Sequence, residues 1–282
     1  MLRTLPGKRI LLTGASSGIG KALAAELAQA DANLVLASRS AEKLEEVARS
    51  LRTQAGTIVT VPADIKFRED RERLVHTAVE RLGGLDVLIN NAGIASWGHF
   101  ADSDESILRE IMEVNFFAAA ELIRLAIPHL ADGNEAAIVN VASMCGRQGM
   151  PAWPEYSASK YALCGLSEAL RGEMARFGID VVLIVPGLTR TDLRAHMLRN
   201  EGRARIDFDS GMPAEYVARR IVAALRTGRR ETVIGADAKW MLRMQRWLPR
   251  LLDWLLARKV RRLYRQEAAR PQPVAAGEGR GS

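Results

Sequence analysis

The sequence predicts an α/β fold, a doubly wound parallel seven-stranded sheet in a single domain with a helical C-terminal extension. Three observations predict it. Short apolar runs alternate with helical patterns from Ile10 to Ile234, a glycine-rich turn joins the first strand to the first helix, and 48% of the 282 residues are apolar. Strands that are apolar nearly throughout, each followed by a helix, belong to a parallel sheet covered on both faces. A chain of this length and composition can bury a full core.

Taken in order, Ile10-Leu-Leu-Thr13 reads as the first strand and Gly18 to Ala30 as a helix faced with the small residues Ala22, Ala24, Ala25 and Ala28. Asn33 to Ala37 gives the second strand, a helix follows from about Ala41 to Gln54, and Ile58 to Val61 is the third strand. A helix from Glu69 to Leu82 leads to a strand at Leu85–Ile89, and a long helix spans Glu105 to Leu130. Ala137–Val141, Asp180–Val185 and Glu231–Ile234 complete the strands, with a helix carrying Tyr156 running to about Phe177. The expected boundaries are a domain over 1–236, including a lid over the substrate at about 188–212, then a basic amphipathic helical extension over 237–270 and a disordered tail over 271–282.

Composition narrows the function classes. Cys145 and Cys164 are the two cysteines, with no ligand spacing and no second pair, so no disulfide framework or metal site is expected. The start of the chain lacks an apolar core of signal-peptide type, and no run of about 18 apolar residues occurs, which leads us to expect a cytoplasmic protein. The extension from Asp237 to Arg270 holds ten basic residues against three acidic ones, a net of +7 that equals the charge of the whole chain. No recognition motif accompanies that charge, so nucleic acid is not an expected partner.

Two motifs carry chemistry. The turn Thr13-Gly-Ala-Ser-Ser-Gly-Ile-Gly20 lets backbone approach a pyrophosphate closely and aims a helix N-terminus at its charge. In open α/β sheets such ligands sit at the carboxyl ends of the strands, where strand order reverses. The second motif pairs Tyr156 with Lys160, four apart on one helix and therefore on one face. At an effective dielectric of about 20 and a separation of about 4 Å, their attraction is on the order of 4 kcal/mol before desolvation. A fixed cation should then pull the phenol down by about two or three pH units and fit it for proton transfer. An isolated Tyr-x-x-x-Lys is more often a lysine stem packed along an aromatic ring. Here, an apolar strand delivers Ser143 just ahead of the pair.

The glycine turn, Asn90-Asn-Ala-Gly93, Asn115, Ser143, Tyr156-x-x-x-Lys160 and Pro186-Gly187 with Thr191 occur in one order and spacing. By these, the chain resembles the short-chain dehydrogenase/reductase family over about Lys8 to Gly235. The resemblance implies a Rossmann fold and an oxidoreductase that interconverts a carbonyl and a secondary alcohol. It assigns catalysis to Asn115, Ser143, Tyr156 and Lys160. Tyr156 would act as general acid or base, Ser143 would bind the substrate oxygen, Lys160 would hold the nicotinamide ribose, and Asn115 would keep a bend in its helix and anchor a water. It also implies that the cofactor is held by Gly14, Ser16, Ser17, Gly18, Ile19, Gly20, Ser38, Arg39, Asp64, Ile65, Asn91, Ala92, Gly93, Tyr156, Lys160, Pro186, Gly187, Thr189 and Thr191. A homodimer or homotetramer is implied through the helices bearing Asn115 and Tyr156.

Cofactor choice turns on the end of the second strand, Leu36-Ala-Ser-Arg-Ser40. An acidic residue there grips free ribose hydroxyls, while a cation suits a 2′-phosphate. Arg39, with Ser38 beside it, favours NADP(H) over NAD(H). For the substrate, Leu193, His196, Met197 and Leu198 in the lid face Trp97, His99, Met144, Met150 and Trp153, which suggests a bulky apolar carbonyl or alcohol, lipid-like or steroid-like. In the extension, Trp240, Met244, Trp247, Leu248, Leu251, Trp254, Leu255 and Leu256 fall at helical spacing, with Pro249 starting a second helix. Burial of that stripe against the body or another subunit is the favoured expectation, and peripheral membrane contact through residues 237–265 is the competing one. An alternative function is a non-catalytic NADP(H)-binding regulatory or membrane-tethering protein on the same fold. The intact set of four catalytic residues argues against it.

Overall fold

A computed structural model describes residues 2–51, 56–202 and 206–268. Seven strands form one parallel sheet: β1 (Arg9–Thr13), β2 (Asn33–Ser38), β3 (Ile58–Pro62), β4 (Val87–Asn90), β5 (Ala137–Val141), β6 (Asp180–Pro186) and β7 (Glu231–Ile234). Their order is β7-β6-β5-β4-β1-β2-β3, with Ile10 of β1 opposite both Leu34 of β2 and Val87 of β4. The chain reverses its direction of travel across the sheet between β3 and β4. That leaves the crevice for a ligand above the carboxyl ends of β1 and β4.

Side chains leave a strand alternately to its two faces, and the apolar residues divide accordingly. Ile10, Leu12, Leu34, Val87, Ile89, Val139 and Ile184 pack with Leu23 and Leu27 of α1 (Gly18–Ala28) and with Val217 and Ile221 of α7 (Ala214–Thr227). Leu11, Val35, Leu88, Ile138 and Val181 pack on the opposite face. There they meet Leu74 of α3 (Arg68–Leu82), Leu122 of α5 (Ala118–Ala131) and Leu170 of α6 (Pro154–Met174). Leu11, Leu12, Leu23 and Leu88 are fully buried, and each such side chain is worth about 2 kcal/mol of apolar transfer. α2 (Ala41–Leu51) completes the first layer. Its expected end near Gln54 lies outside the described residues.

The long helix expected over Glu105–Leu130 is not continuous. It consists of α4 (Glu105–Met112), a π-helical segment at Glu113–Phe117 that contains Asn115, and α5. Pro154 opens α6, where a missing N–H costs nothing. Over the described residues 188–202 and 206–212, two small bridges pair Thr189–Arg190 with Met212–Pro213 and Ser96–Trp97 with Arg199–Asn200.

The extension folds as α8 (Ala236–Trp247) and α9 (Pro249–Ala268), broken at Leu248. Ala238 and Leu252 are buried against the body, and Leu242 packs on the cluster of Leu163, Leu183 and Val185. Most of the stripe expected to be covered is not covered in the single chain. Trp247 is 73% exposed, and Trp240, Leu248, Leu251, Trp254 and Leu255 are exposed as well. Helical spacing gave the stripe correctly, but the face that docks on the body is the neighbouring one, marked by Leu252. Among the described residues no helix is long and apolar enough to cross a membrane. The tail over 271–282 lies outside the described residues.

Candidate active site

A cavity of about 310 Å³ runs along the carboxyl ends of β1 to β5. Its floor is the glycine turn. Gly14 has φ +68, and a Cβ on Gly20 would stand 2.0 Å from the Gly14 carbonyl oxygen, so neither position admits a side chain. Thr13 fixes this turn to β4, its hydroxyl oxygen accepting from the backbone N–H groups of Asn91 and Ala92 at 3.1 Å each. The Asn91 amide donates to the carbonyls of Thr13 and Gly14 at 3.0 and 3.2 Å, so it braces the loop that it lines. The N-terminus of α1 opens into the cavity through Ser17 and Gly18, a ready site for phosphate.

Ser38 and Arg39 line the cavity at the end of β2, joined by Ser40 and Lys43. The Ser40 hydroxyl accepts from the Lys43 backbone N–H at 3.3 Å, which sets the first turn of α2 and brings two cations to one rim. Asp64 and Ile65 line the adjoining wall after β3, where an Asp64 carboxylate oxygen accepts from the Lys66 N–H at 3.1 Å.

At the opposite end stand Tyr156 and Lys160, both lining the cavity. The Lys160 ammonium lies 5.8 Å from the centre of the Tyr156 ring and donates to the Val141 carbonyl at 3.1 Å. Ser143, just past the end of β5, lies near the Tyr156 phenol, and its hydroxyl accepts from the Cys145 N–H at 3.2 Å. Asn115 grips Ile94 through both backbone groups, accepting from its N–H and donating to its carbonyl at 2.9 Å each. The same amide donates to Ser159 Oγ at 2.9 Å, and that hydroxyl donates to the Tyr156 carbonyl at 2.8 Å. Gly93 sits between these groups: a Cβ there would come within 3.1 Å of Asn115 Oδ1 and 3.4 Å of Lys160 Nζ.

The electrostatics differ from the sequence expectation. Burial pushes the Tyr156 phenol well above its ordinary value and pulls Lys160 down to about 8. Lys160 is itself desolvated and committed to the Val141 carbonyl, so its attraction does not outweigh the loss of water around the phenol. Tyr156 is therefore a protonated donor at neutral pH, and Lys160 is a cation poised near its titration point. Cys145 and Cys164 are free, buried thiols pushed up to about 11 by burial.

The structure thus gathers Gly14, Ser16 to Gly20, Ser38, Arg39, Asp64, Ile65, Asn91 to Gly93, Tyr156, Lys160 and Thr191 around one space. Asn115 and Ser143 are not among its lining residues; Asn115 is hydrogen-bonded to Ile94, which is. Pro186, Gly187 and Thr189 do not line it and sit at the end of β6. There, the Asp237 carboxylate accepts from the Leu188 N–H at 2.8 Å and fills the space beside Gly187. Sequence reasoning missed Lys43, Ser159 and Phe208. The four-residue spacing from Arg39 into a helix start could have found Lys43, and the Ser-Lys pair could have drawn attention to Ser159. Phe208 comes from the lid and could not be placed by pattern.

An aromatic wall adjoins Tyr156. Trp153 lies edge-on to it at 5.7 Å between ring centres, Trp97 stacks on Trp153 at 6.2 Å, and Phe208 closes against Trp97 at 5.7 Å. His196 lines the cavity, while His99 rests its ring on Tyr264 of α9 at 5.2 Å. Among the described residues no group of His, Cys, Asp or Glu side chains could hold a metal ion.

A model of the short chain dehydrogenase family matches residues 8–202. The chain belongs to that family. Ketoacyl reductase HetN of Nostoc sp. is 37% identical over 186 residues, 66% of this chain and 65% of its own length, so the match spans just under two thirds of that relative. Uncharacterized oxidoreductase YxnA of Bacillus subtilis is 31% identical, over 96% of this chain and 76% of its own. The 11-beta-hydroxysteroid dehydrogenase-like 2 protein of Arabidopsis thaliana is 31% identical, over 89% and 80%. A solved short chain dehydrogenase/reductase from Burkholderia phymatum in complex with NAD superimposes with a TM-score of 0.81 at 25% identity, covering 89% of this chain and 96% of that one. The protein is an oxidoreductase of the short-chain dehydrogenase family, with a Rossmann-like sheet and a helical C-terminal segment.

Proposed function

We propose that this dehydrogenase uses NADP(H) to interconvert a carbonyl and a secondary alcohol on a bulky apolar substrate, lipid-like or steroid-like, with Tyr156 as general acid/base. The observation that carries the reading is the pair Tyr156 and Lys160, with Ser143 near the phenol, at one end of a cavity whose other end bears Arg39 and Lys43. The residues fit a dinucleotide: the cradle at Gly14 and Gly20 excludes any Cβ, a helix N-terminus faces it, and Gly93 leaves room beside Lys160. When bound, the nicotinamide cofactor supplies or accepts the hydride.

The chain's own residues supply the rest. Ser143 Oγ and the phenol together hold the substrate oxygen, and the phenol gives it a proton in reduction or takes one in oxidation. Burial keeps Tyr156 protonated through neutral pH, which suits the reductive direction. Lys160, held to Val141, places positive charge beside the phenol and its ribose partner. Asn115 fixes the Ile94 backbone and, through Ser159, the first turn of α6. Arg39 and Lys43 match a 2′-phosphate by charge and by the planar guanidinium fork. The Trp97, Trp153 and Phe208 wall favours a large apolar partner, in keeping with relatives whose names speak of ketoacyl and hydroxysteroid chemistry. We further propose a homodimer or homotetramer across the helices bearing Asn115 and Tyr156, where Phe117 is 49% exposed.

The test is oxidation of NADPH, with NADH in parallel, across a panel of apolar ketones, comparing wild type with Tyr156→Phe. Turnover that prefers NADPH and falls at least about a thousandfold in the variant supports the reading. Turnover retained in Tyr156→Phe refutes the assignment of the proton.

A further inference from the structure

The outward faces of α8 and α9 have no assigned role. On α8, Trp240, Arg243 and Trp247 recur at three- and four-residue spacing on the side away from buried Ala238. Leu248 links the helices. On α9 the exposed side next to buried Leu252 begins with Leu251, Trp254 and Leu255 and continues with Arg258, Arg261, Arg262 and Arg265. Arginines also stand over the tryptophans, Arg246 at 5.6 Å from Trp247 and Arg258 at 5.1 Å from Trp254. Residues 236–265 hold nine basic side chains against two acidic ones, Asp237 and Asp253. Asp237 is turned inward, onto the Leu188 N–H.

We propose that this face docks on an anionic lipid bilayer, lying in the headgroup region without crossing it. Large exposed Trp and Leu side chains framed by Arg match an interface with an apolar interior and an anionic rim. Tryptophan in particular favours that boundary. A second copy of the same face is the poorer partner, because a two-fold contact would set one strongly cationic surface against another. The inward side of α9 makes the placement useful. Asp253, Leu256 and Ala257 wall a second cavity of about 550 Å³ with Met150, Pro154 and Tyr161, beside the first turns of the helix that carries Tyr156. A docked bilayer would lie on the other, outward side of α9. The proposal does not rest on the cofactor or the substrate proposed above.

The experiment is flotation of the full chain with vesicles of phosphatidylcholine containing about one quarter phosphatidylglycerol, beside vesicles of phosphatidylcholine alone. Wild type should bind the anionic vesicles, with its tryptophan emission shifted to the blue, and release in about 0.5 M salt. W247S/W254S and R258Q/R262Q should each lower the bound fraction at least about tenfold while keeping the far-ultraviolet circular dichroism and melting temperature of the wild type. Equal binding to neutral vesicles, or unchanged binding by both double variants, overturns the proposal. So does failure to bind anionic vesicles; in that case a dimer that W247S/W254S converts to monomer identifies the face as a subunit contact.

Discussion

Replacing Lys160 by Met should make the protein more stable at neutral pH and inactive. The side chain is 4% exposed, and its one hydrogen bond runs to the Val141 carbonyl at 3.1 Å. Its titration falls from 10.5 in the unfolded chain to about 8 in the fold, because burial disfavours the ammonium. The folded protein therefore binds fewer protons than the unfolded chain between those values, and stability rises with pH across that window. Below about pH 8 the full penalty applies, about 3 kcal/mol at 1.36 kcal/mol per pH unit. By pH 10 it has shrunk to about 1 kcal/mol. Methionine fills a similar volume without charge but forfeits a hydrogen bond worth roughly 1 kcal/mol, which leaves Lys160→Met about 2 kcal/mol more stable at pH 7 and about equal at pH 10. Urea unfolding of both proteins at pH 7, 8, 9 and 10 measures the difference directly, since all other titrations are shared. A variant less stable than wild type at pH 7, or a difference that stays constant to pH 10, refutes the claim that this lysine is held at the expense of the fold.

Four further outcomes are expected. The rate of carbonyl reduction, measured as kcat/KM against pH, should hold level from pH 6 and fall above about 8 as Lys160 loses its proton, with no limb from Tyr156 below 10. Arg39→Ala and Lys43→Ala should each weaken NADPH binding by about 10- to 100-fold, the worth of a charge-assisted contact, and leave NADH within about twofold by fluorescence titration. Gly20→Ala, whose Cβ would stand 2.0 Å from the Gly14 carbonyl oxygen, should cost about 1–3 kcal/mol of stability and abolish dinucleotide binding, seen together in thermal melts with and without cofactor. Trp153→Ala should raise KM about tenfold for a polycyclic ketone and change that for a small ketone little, because the lost ring is part of the wall beside Tyr156 and not of the proton path.

The sheet was legible in the chain because its strands are buried on both faces, so Ile10–Leu12 and Ala137–Val139 read as short apolar runs without the alternation of a one-sided strand. The cavity at the glycine turn was legible because Gly14, Gly18 and Gly20 answer a steric demand that no other residue type meets. What escaped the sequence depends on long-range placement. The sign of the Tyr156 shift is set by how much water the fold removes around both partners, and spacing along a helix says nothing of that. A bend at Asn115 was implied by the resemblance, but its π-helical form and the hold of the Asn115 amide on Ile94, 21 positions away, were not. In the extension, spacing showed a stripe but not which of two adjacent faces would find the body.

The π-helical segment at Glu113–Phe117 adds a constraint of another kind. Each residue turns an α-helix by 100°, so one extra residue resets the phase between α4, whose Ile111 points inward, and α5, whose Leu122, Ala126 and Leu130 do the same. The two helices can be substituted side chain by side chain, but the number of residues between them cannot change by one. A single-residue deletion there would rotate every later apolar side chain of α5 out of step with the sheet and carry Asn115 away from Ile94. In this part of the chain, the fold fixes residue number more tightly than side-chain identity.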